Sequence, residues 1–139
     1  MFRRPLAGVT ILVVDDHDET RETLAESLKT GGARVLSAHS AQAALLTLEQ
    51  ERPDLFLTDL EMPEVDGWEL MLRVRALPPE GGGRTPGVAL SAHNTHEDRA
   101  RSLKAGFRLH LAKPFDPREL VDLLAAMLAL EGRDPDKRG

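Results

Sequence analysis

Three aspartates, a serine and a lysine stand where side chains of this chain could do chemistry together: Asp15 and Asp16, Asp59, Ser91 and Lys113. Each ends or closely follows a short apolar run, respectively Val9 to Val14, Leu55 to Thr58, Val88 to Leu90 and Phe107 to Leu111. Carboxylates gathered in one place repel, by roughly 4 kcal/mol for a pair about 4 Å apart at an effective dielectric near 20. A hard divalent cation offsets that repulsion. Magnesium (Mg2+), which takes oxygen ligands and normally keeps several waters, suits a site with few protein ligands. Lys113 adds a compact positive charge and Ser91 a hydroxyl donor. The set describes a pocket for a small, strongly negative group beside Asp59, and a phosphoryl group fits. Each member also has an ordinary reading: Asp15 and Asp16 as helix caps, Lys113 as a solvated loop lysine, Ser91 as a turn residue. Their joint occurrence at successive strand ends favours a site.

The elements that must position these residues follow from patterning. Val9 to Val14 is unbroken apolar or β-branched sequence, as in a strand buried on both faces of a parallel sheet. Asp18 is placed to cap a helix carrying Leu24, Ala25 and Leu28 on one face, with Gly31-Gly32 as its stop. Arg34 to Ala38 reads as a weaker, more polar strand. Ser40 opens a second helix with Ala44, Leu45 and Leu48 inward, ended before Pro53, and the strand Leu55 to Thr58 follows. Beyond Asp59 a turn containing Pro63 leads to Asp66, whose spacing to Glu69 is that of a capping box at the head of a helix from Gly67 to Ala76.

Pro78 to Pro86, with Gly81-Gly82-Gly83 inside it, has the composition of a mobile loop and lacks the lysine and hydroxyl residue of a phosphate-cradling one. Val88 to Leu90 is a fourth strand. Thr95 and Asp98 have capping-box spacing at a fourth helix, closed by Gly106. Phe107 to Leu111 alternates, with Phe107, Leu109 and Leu111 on one face against Arg108 and His110, which marks a half-covered edge strand. Asp116-Pro117-Arg118-Glu119 starts a last helix whose buried stripe is Leu120, Leu123, Leu124, Met127 and Leu128.

Strands alternating with helices predict an α/β fold: a doubly wound, five-stranded parallel sheet with helices on both faces. The flavodoxin-like order 2-1-3-4-5 puts the most apolar strand in the centre and the polar ones at the edges, and it brings the ends of strands one, three, four and five to one rim. Residues 1–8 are expected to form an N-terminal extension, 9–130 the domain, and 131–139 a flexible charged tail. A formal charge of −5 over 139 residues argues against general affinity for nucleic acid or an anionic membrane surface. The absence of cysteine fits a reducing cytoplasm, and no run reaches the length of a membrane span, so a soluble cytoplasmic protein is expected. His17, His39, His93, His96 and His110 show no ligand spacing and read as surface or rim residues; Trp68 reads as packing.

With the pair Asp15-Asp16, the run Asp59-Leu60-Glu61-Met62-Pro63 followed by Asp66-Gly67, then Ser91-Ala92 and Lys113-Pro114, the chain resembles the receiver domain of two-component response regulators from about Val9 to Met127. The resemblance implies that Asp59 is the phosphoacceptor, taking a phosphoryl group from a histidine kinase or a histidine phosphotransfer protein. It implies that Asp16, Asp59 and the main-chain carbonyl of Glu61 hold Mg2+ directly, with Asp15 acting through water. Ser91 would bind a phosphoryl oxygen, Lys113 would pair with Asp59 and later with the phosphate, and the peptide Lys113-Pro114 would be cis. Ser91 and the residue at the family's switch position, here His110 where Tyr or Phe is usual, would carry the signal to a downstream protein. The contact would be made through the fourth helix, fifth strand and fifth helix.

Two other functions compete. An Mg2+-dependent phosphohydrolase would use Asp59 as nucleophile and Glu61 as acid/base, but the chain leaves no room for a substrate-selecting cap domain and carries its acidic pair at the first strand. A receiver-like adaptor that is never phosphorylated would not need the full set. The chain is expected to be a signalling phosphoacceptor and not an enzyme, either alone or as a piece of a larger regulator or hybrid histidine kinase.

Overall fold

The computed structural model describes residues 4–132; the greater part of the expected tail, from residue 133, lies outside them, as do residues 1–3 of the expected extension. In chain order the elements are β1 (Thr10–Val14), α1 (Asp18–Thr30), β2 (Arg34–Ala38), α2 (Ala41–Glu51), β3 (Leu55–Asp59), α3 (Gly67–Arg75), β4 (Gly87–Ser91), α4 (His96–Ala105), β5 (Leu109–Ala112) and α5 (Pro117–Leu130), with a short 3-10 turn at Pro79–Gly81. All strand pairs are parallel and the sheet order is β2-β1-β3-β4-β5, the flavodoxin-like doubly wound arrangement that the patterning predicts.

The period-two alternation of the central strands sorts their side chains into two cores. Ile11, Val13, Leu55, Leu57, Val88 and Leu90 pack with Leu24 and Leu28 of α1 and with Leu120, Leu124 and Leu128 of α5. Leu12, Val14, Phe56 and Ala89 face the other way, against Leu48 of α2 and Leu70, Met71 and Val74 of α3. A fully buried leucine is worth about 1.5–3 kcal/mol, so the sheet's register is strongly held, because a slip by one residue would exchange the two sets. Register in turn levels the strand ends: Asp59 lies opposite Leu90, and Ser91 opposite Ala112.

Several local expectations are corrected by contacts from elsewhere in the chain. The N-cap of α1 is His17, not Asp18; Asp18 sits in the first turn, where its carboxylate takes the Arg21 guanidinium at 2.6 Å. At α3 only half of the box forms: Asp66 accepts the Glu69 amide at 2.8 Å, while the Glu69 carboxylate turns to Arg73, 3.6 Å away. Phe107 precedes β5 and joins the core of α2 and α3 beside Phe56, whereas Leu109 and Leu111 pack on the opposite one. Leu6, ahead of the expected domain start, is fully buried, and its amide donates to the carbonyl of Gly31. Glu131, at the head of the expected tail, pairs with Arg108.

The loop from Pro78 to Pro86 is built rather than slack. The Arg75 guanidinium donates to the carbonyls of Gly83 (3.1 Å), Thr85 (2.8 Å) and Gly106 (2.9 Å), and Gly82, Gly83, Thr85 and Pro86 are buried. Among the described residues no helix is long and apolar enough to cross a membrane.

Candidate functional site

Parallel strands leave their last carbonyls and side chains at one edge of the sheet, and here β1, β3, β4 and β5 all end on the same rim. Asp59 is the last residue of β3 and Asp15 the first after β1; both are buried, with 4% and 2% of their surface exposed. Lys113, just beyond β5, brings Nζ to 3.4 Å from Asp59 Oδ1 and 3.9 Å from Asp15 Oδ2. The peptide between Lys113 and Pro114 is cis. Gly67 lets α3 begin against this rim, since a Cβ there would sit 2.8 Å from the Asp59 carbonyl oxygen and 2.7 Å from Leu60 Cδ2.

Asp15, Asp16, His17 and Asp59 each offer a ligand atom, all within 4.8 Å of one another. Asp15 Oδ1 accepts the His17 amide at 2.9 Å, and its carbonyl accepts from the Arg21 guanidinium at 2.8 Å, which fixes the turn after β1. Asp16 Oδ1 is buried and, among the described residues, accepts no hydrogen bond. A buried carboxylate oxygen without a donor is costly, and a cation among these oxygens relieves it. Hard oxygen donors are what Mg2+ selects, so the residues present fit that ion. His17 is the member that spacing did not reveal: its Nδ1 lies 3.4 Å from both Asp15 Oδ1 and Asp16 Oδ1.

Burial pushes the Asp59 carboxyl up to about 6, against the pull of Lys113 and with the neighbouring Glu61 and Asp15 carboxylates adding to the rise. Glu61 goes the other way. Burial would raise it, but hydrogen bonds from the Ser91 hydroxyl, the Asp59 carboxyl and the Ala92 amide outweigh that and hold it below the usual range.

Ser91, fully buried at the end of β4, donates its hydroxyl to Glu61 Oε1 at 2.7 Å, and the same oxygen accepts the Ala92 amide at 3.2 Å. Ser91 Oγ accepts the His93 amide at 2.9 Å. The Glu61 amide donates to Asp59 Oδ1 at 3.2 Å, so Glu61 bridges Asp59 and Ser91. Nothing in the sequence announced that its carboxylate would reach a residue thirty positions later.

His110 is not a surface residue. It is 7% exposed, on the α4 side of β5, with Nδ1 2.7 Å from Ser102 Oγ and Nε2 2.9 Å from Asn94 Oδ1. The expectation of a half-covered strand failed because α4 presents the hydroxyl of Ser102 to that face, so a polar side chain is satisfied there without water. Burial lowers the His110 pKa, with the Arg99 guanidinium adding to the effect and the His93 carbonyl opposing it.

Comparison with known proteins agrees with this geometry. The family model described as the response regulator receiver domain matches residues 11–125. An uncharacterised 14.6 kDa protein of Leptolyngbya boryana is 47% identical over 119 residues, covering 86% of this chain and 89% of the relative. The phosphate regulon transcriptional regulatory protein PhoB of Pseudomonas aeruginosa is 35% identical over 91% of this chain, which spans only 55% of PhoB. Among solved structures, the receiver domain of the sensor histidine kinase PA1611 of Pseudomonas aeruginosa PAO1, described with a magnesium ion coordinated in its active-site cleft, is 33% identical. It superposes with a TM-score of 0.79 over 88% of this chain and 99% of that one. With the family model covering most of the chain and the acidic rim, lysine and serine standing where these strands end, this protein belongs to the receiver domain family of two-component response regulators.

Proposed function

We propose that the domain, residues 9–130, is a phosphoacceptor, with Asp59 as the residue that takes the phosphoryl group. The observation that carries this is the position of Asp59: a buried carboxylate with the Lys113 ammonium 3.4 Å from one oxygen and the oxygens of Asp15 and Asp16 close by. An Asp59 oxygen attacks phosphorus, the bond from phosphorus to the donor's imidazole nitrogen breaks, and that nitrogen leaves with the electron pair. The product is an acyl phosphate. The donor is the phosphohistidine of a histidine kinase or of a histidine phosphotransfer protein.

Phosphoryl transfer asks mainly for positioning and charge neutralisation. Lys113 supplies a positive charge that can pass from the carboxylate to the incoming phosphoryl oxygens, and Ser91 supplies a hydroxyl donor. Asp15, Asp16, Asp59 and the main-chain carbonyl of Glu61 would hold Mg2+, which when bound neutralises charge on the transferring group. The chain assists only its own phosphorylation and dephosphorylation. Its output is a change in a cytoplasmic protein contact through α4, β5 and α5, with Ser91 and His110 as the residues that respond. Incubation with a small acyl phosphate and Mg2+, borohydride trapping and peptide mass spectrometry will place the adduct on Asp59. An equal yield in Asp59→Asn would reject the assignment.

A further inference from the structure

Two donors at this rim converge on one acceptor that belongs to the protein itself. The Ser91 hydroxyl, at 2.7 Å, and the Ala92 amide, at 3.2 Å, both point at Glu61 Oε1. A hydroxyl and a backbone amide at a strand end, beside an aspartate and a lysine, are the donors an anionic group bonded to Asp59 would require. His93 Nε2 lies 3.7 Å from the same oxygen. Glu61 is tethered on the other side, its own amide donating to Asp59 Oδ1 at 3.2 Å.

We propose that the Glu61 carboxylate is an internal stand-in for the phosphoryl group: it occupies the Ser91 and Ala92 donors in the resting protein and must swing away before an anion on Asp59 can use them. The inference rests on Asp59 being the phosphoacceptor and adds to it a residue that sets how readily the site is filled. Geometry allows the exchange. The Glu61 side chain is 36% exposed, so it can turn to solvent, whereas Ser91 is fully buried and cannot follow it. While the carboxylate stays, an arriving anion meets a like charge and finds both donors taken. Once it has gone, the donors remain in place, because Ser91 Oγ is held by the His93 amide at 2.9 Å and the Asn94 amide group donates to the Ser91 carbonyl at 3.0 Å.

The test separates occupancy from charge. Beryllofluoride with saturating Mg2+ is titrated into the wild type, Glu61→Ala, Glu61→Gln and Glu61→Asp, with the adduct followed by fluorine NMR. Aspartate keeps the charge but is one methylene too short to reach both donors. Occupancy predicts that Glu61→Asp binds about tenfold more tightly than the wild type, and Glu61→Ala at least as tightly, the loss of one charge-assisted hydrogen-bonded competitor. In the free proteins, without metal or fluoride, the Ala92 amide proton should move upfield in the Asp and Ala variants alike. Equal affinity in the wild type and Glu61→Asp, with gain only in Ala and Gln, would show a charge effect and overturn the proposal while leaving Asp59 as acceptor. Binding to none of the four would remove the acceptor reading and this proposal together.

Discussion

The hydroxyl of Ser102 lies 2.7 Å from Nδ1 of His110, inside the contact between α4 and β5. The other ring nitrogen faces two acceptors, Asn94 Oδ1 at 2.9 Å and the His93 carbonyl at 3.2 Å, so Nε2 carries the proton. Nδ1 is then the acceptor, and Ser102 donates to it. The Trp68 indole N–H completes the chain by donating to Ser102 Oγ at 2.9 Å. With the imidazole neutral, the form that burial favours, every proton in the network has one place.

A second proton on His110 would leave Nδ1–H facing a hydroxyl that already receives Trp68. Burial and Arg99 oppose that protonation, the His93 carbonyl, Asp98 and Glu61 favour it, and the balance lowers the folded-state pKa below 6.5. Stability from this group is therefore fully present above the unfolded-state value and is lost as pH falls through the folded one. Urea unfolding of the wild type and His110→Gln between pH 7.5 and 5 should show the variant with the flatter acid-side decline. Parallel curves would mean that the ring is not held neutral by the fold.

Asp59 has the opposite sign. Its carboxyl is raised from 3.8 to about 6, burial being the main cause. Its contribution is present below the unfolded value and lost as pH rises through about 6. Two pKa units convert to roughly 3 kcal/mol, which solvent screening at an open rim reduces to about 1 kcal/mol. In the presence of a chelator, Asp59→Asn should therefore be about 1 kcal/mol more stable than the wild type at pH 7.5 and nearly equal to it at pH 4. Thermal unfolding at the two pH values checks both halves.

Lys113 sits between Asp59 Oδ1 at 3.4 Å and Asp15 Oδ2 at 3.9 Å, so it both neutralises the acidic set and competes with a cation for it. Removing it should move two readouts in opposite directions. Lys113→Met is expected to bind Mg2+ several-fold more tightly, since more negative charge is left uncompensated, and to lose about 100-fold in the rate of phosphorylation by a small acyl phosphate. Calorimetry with Mg2+ and single-turnover labelling measure the two. Losses in both would assign Lys113 a role in holding the rim together instead.

What was legible in the sequence was local. The side chains of Ser40, Asp66, Thr95 and Asp116 accept amides of the helices they open, as cap residues do, and the strands end beside Asp15, at Asp59 and Ser91, and before Lys113 because their apolar runs stop there. What was missed depends on partners distant in the chain. A Pro/Gly-rich stretch reads as slack until Arg75 is seen to bind its carbonyls. His110 reads as exposed until Ser102 and Asn94 arrive from α4 and the loop before it. The resemblance gives Glu61 only its main-chain carbonyl, and the partner of its carboxylate is seen only when Ser91 takes it. Alternation does identify which face of β5 carries His110; it does not identify that the helix over that face offers hydroxyl rather than methyl groups.

Ser102 itself carries the last prediction. It is fully buried on α4 and serves two partners at once, accepting from Trp68 and donating to His110. Ser102→Ala removes little volume but leaves the indole N–H and the imidazole Nδ1 without their partner, and each buried unsatisfied group costs about 1–3 kcal/mol. The expected loss is about 2 kcal/mol, because Trp68 is only partly buried and can find water. Ser27 of α1 is the control: its hydroxyl donates only to the Thr23 carbonyl at an exposed position, so Ser27→Ala should be nearly silent. Trp68 is the only tryptophan, and its emission reports the broken contact directly. Ser102→Ala should shift that emission toward the wavelength of a solvated indole, and Ser102→Thr, which keeps the hydroxyl, should restore most of the wild-type spectrum and stability. A stability loss in Ser102→Ala with unchanged Trp68 emission would locate the cost at His110 alone and break the proposed sharing of one hydroxyl between α3 and β5.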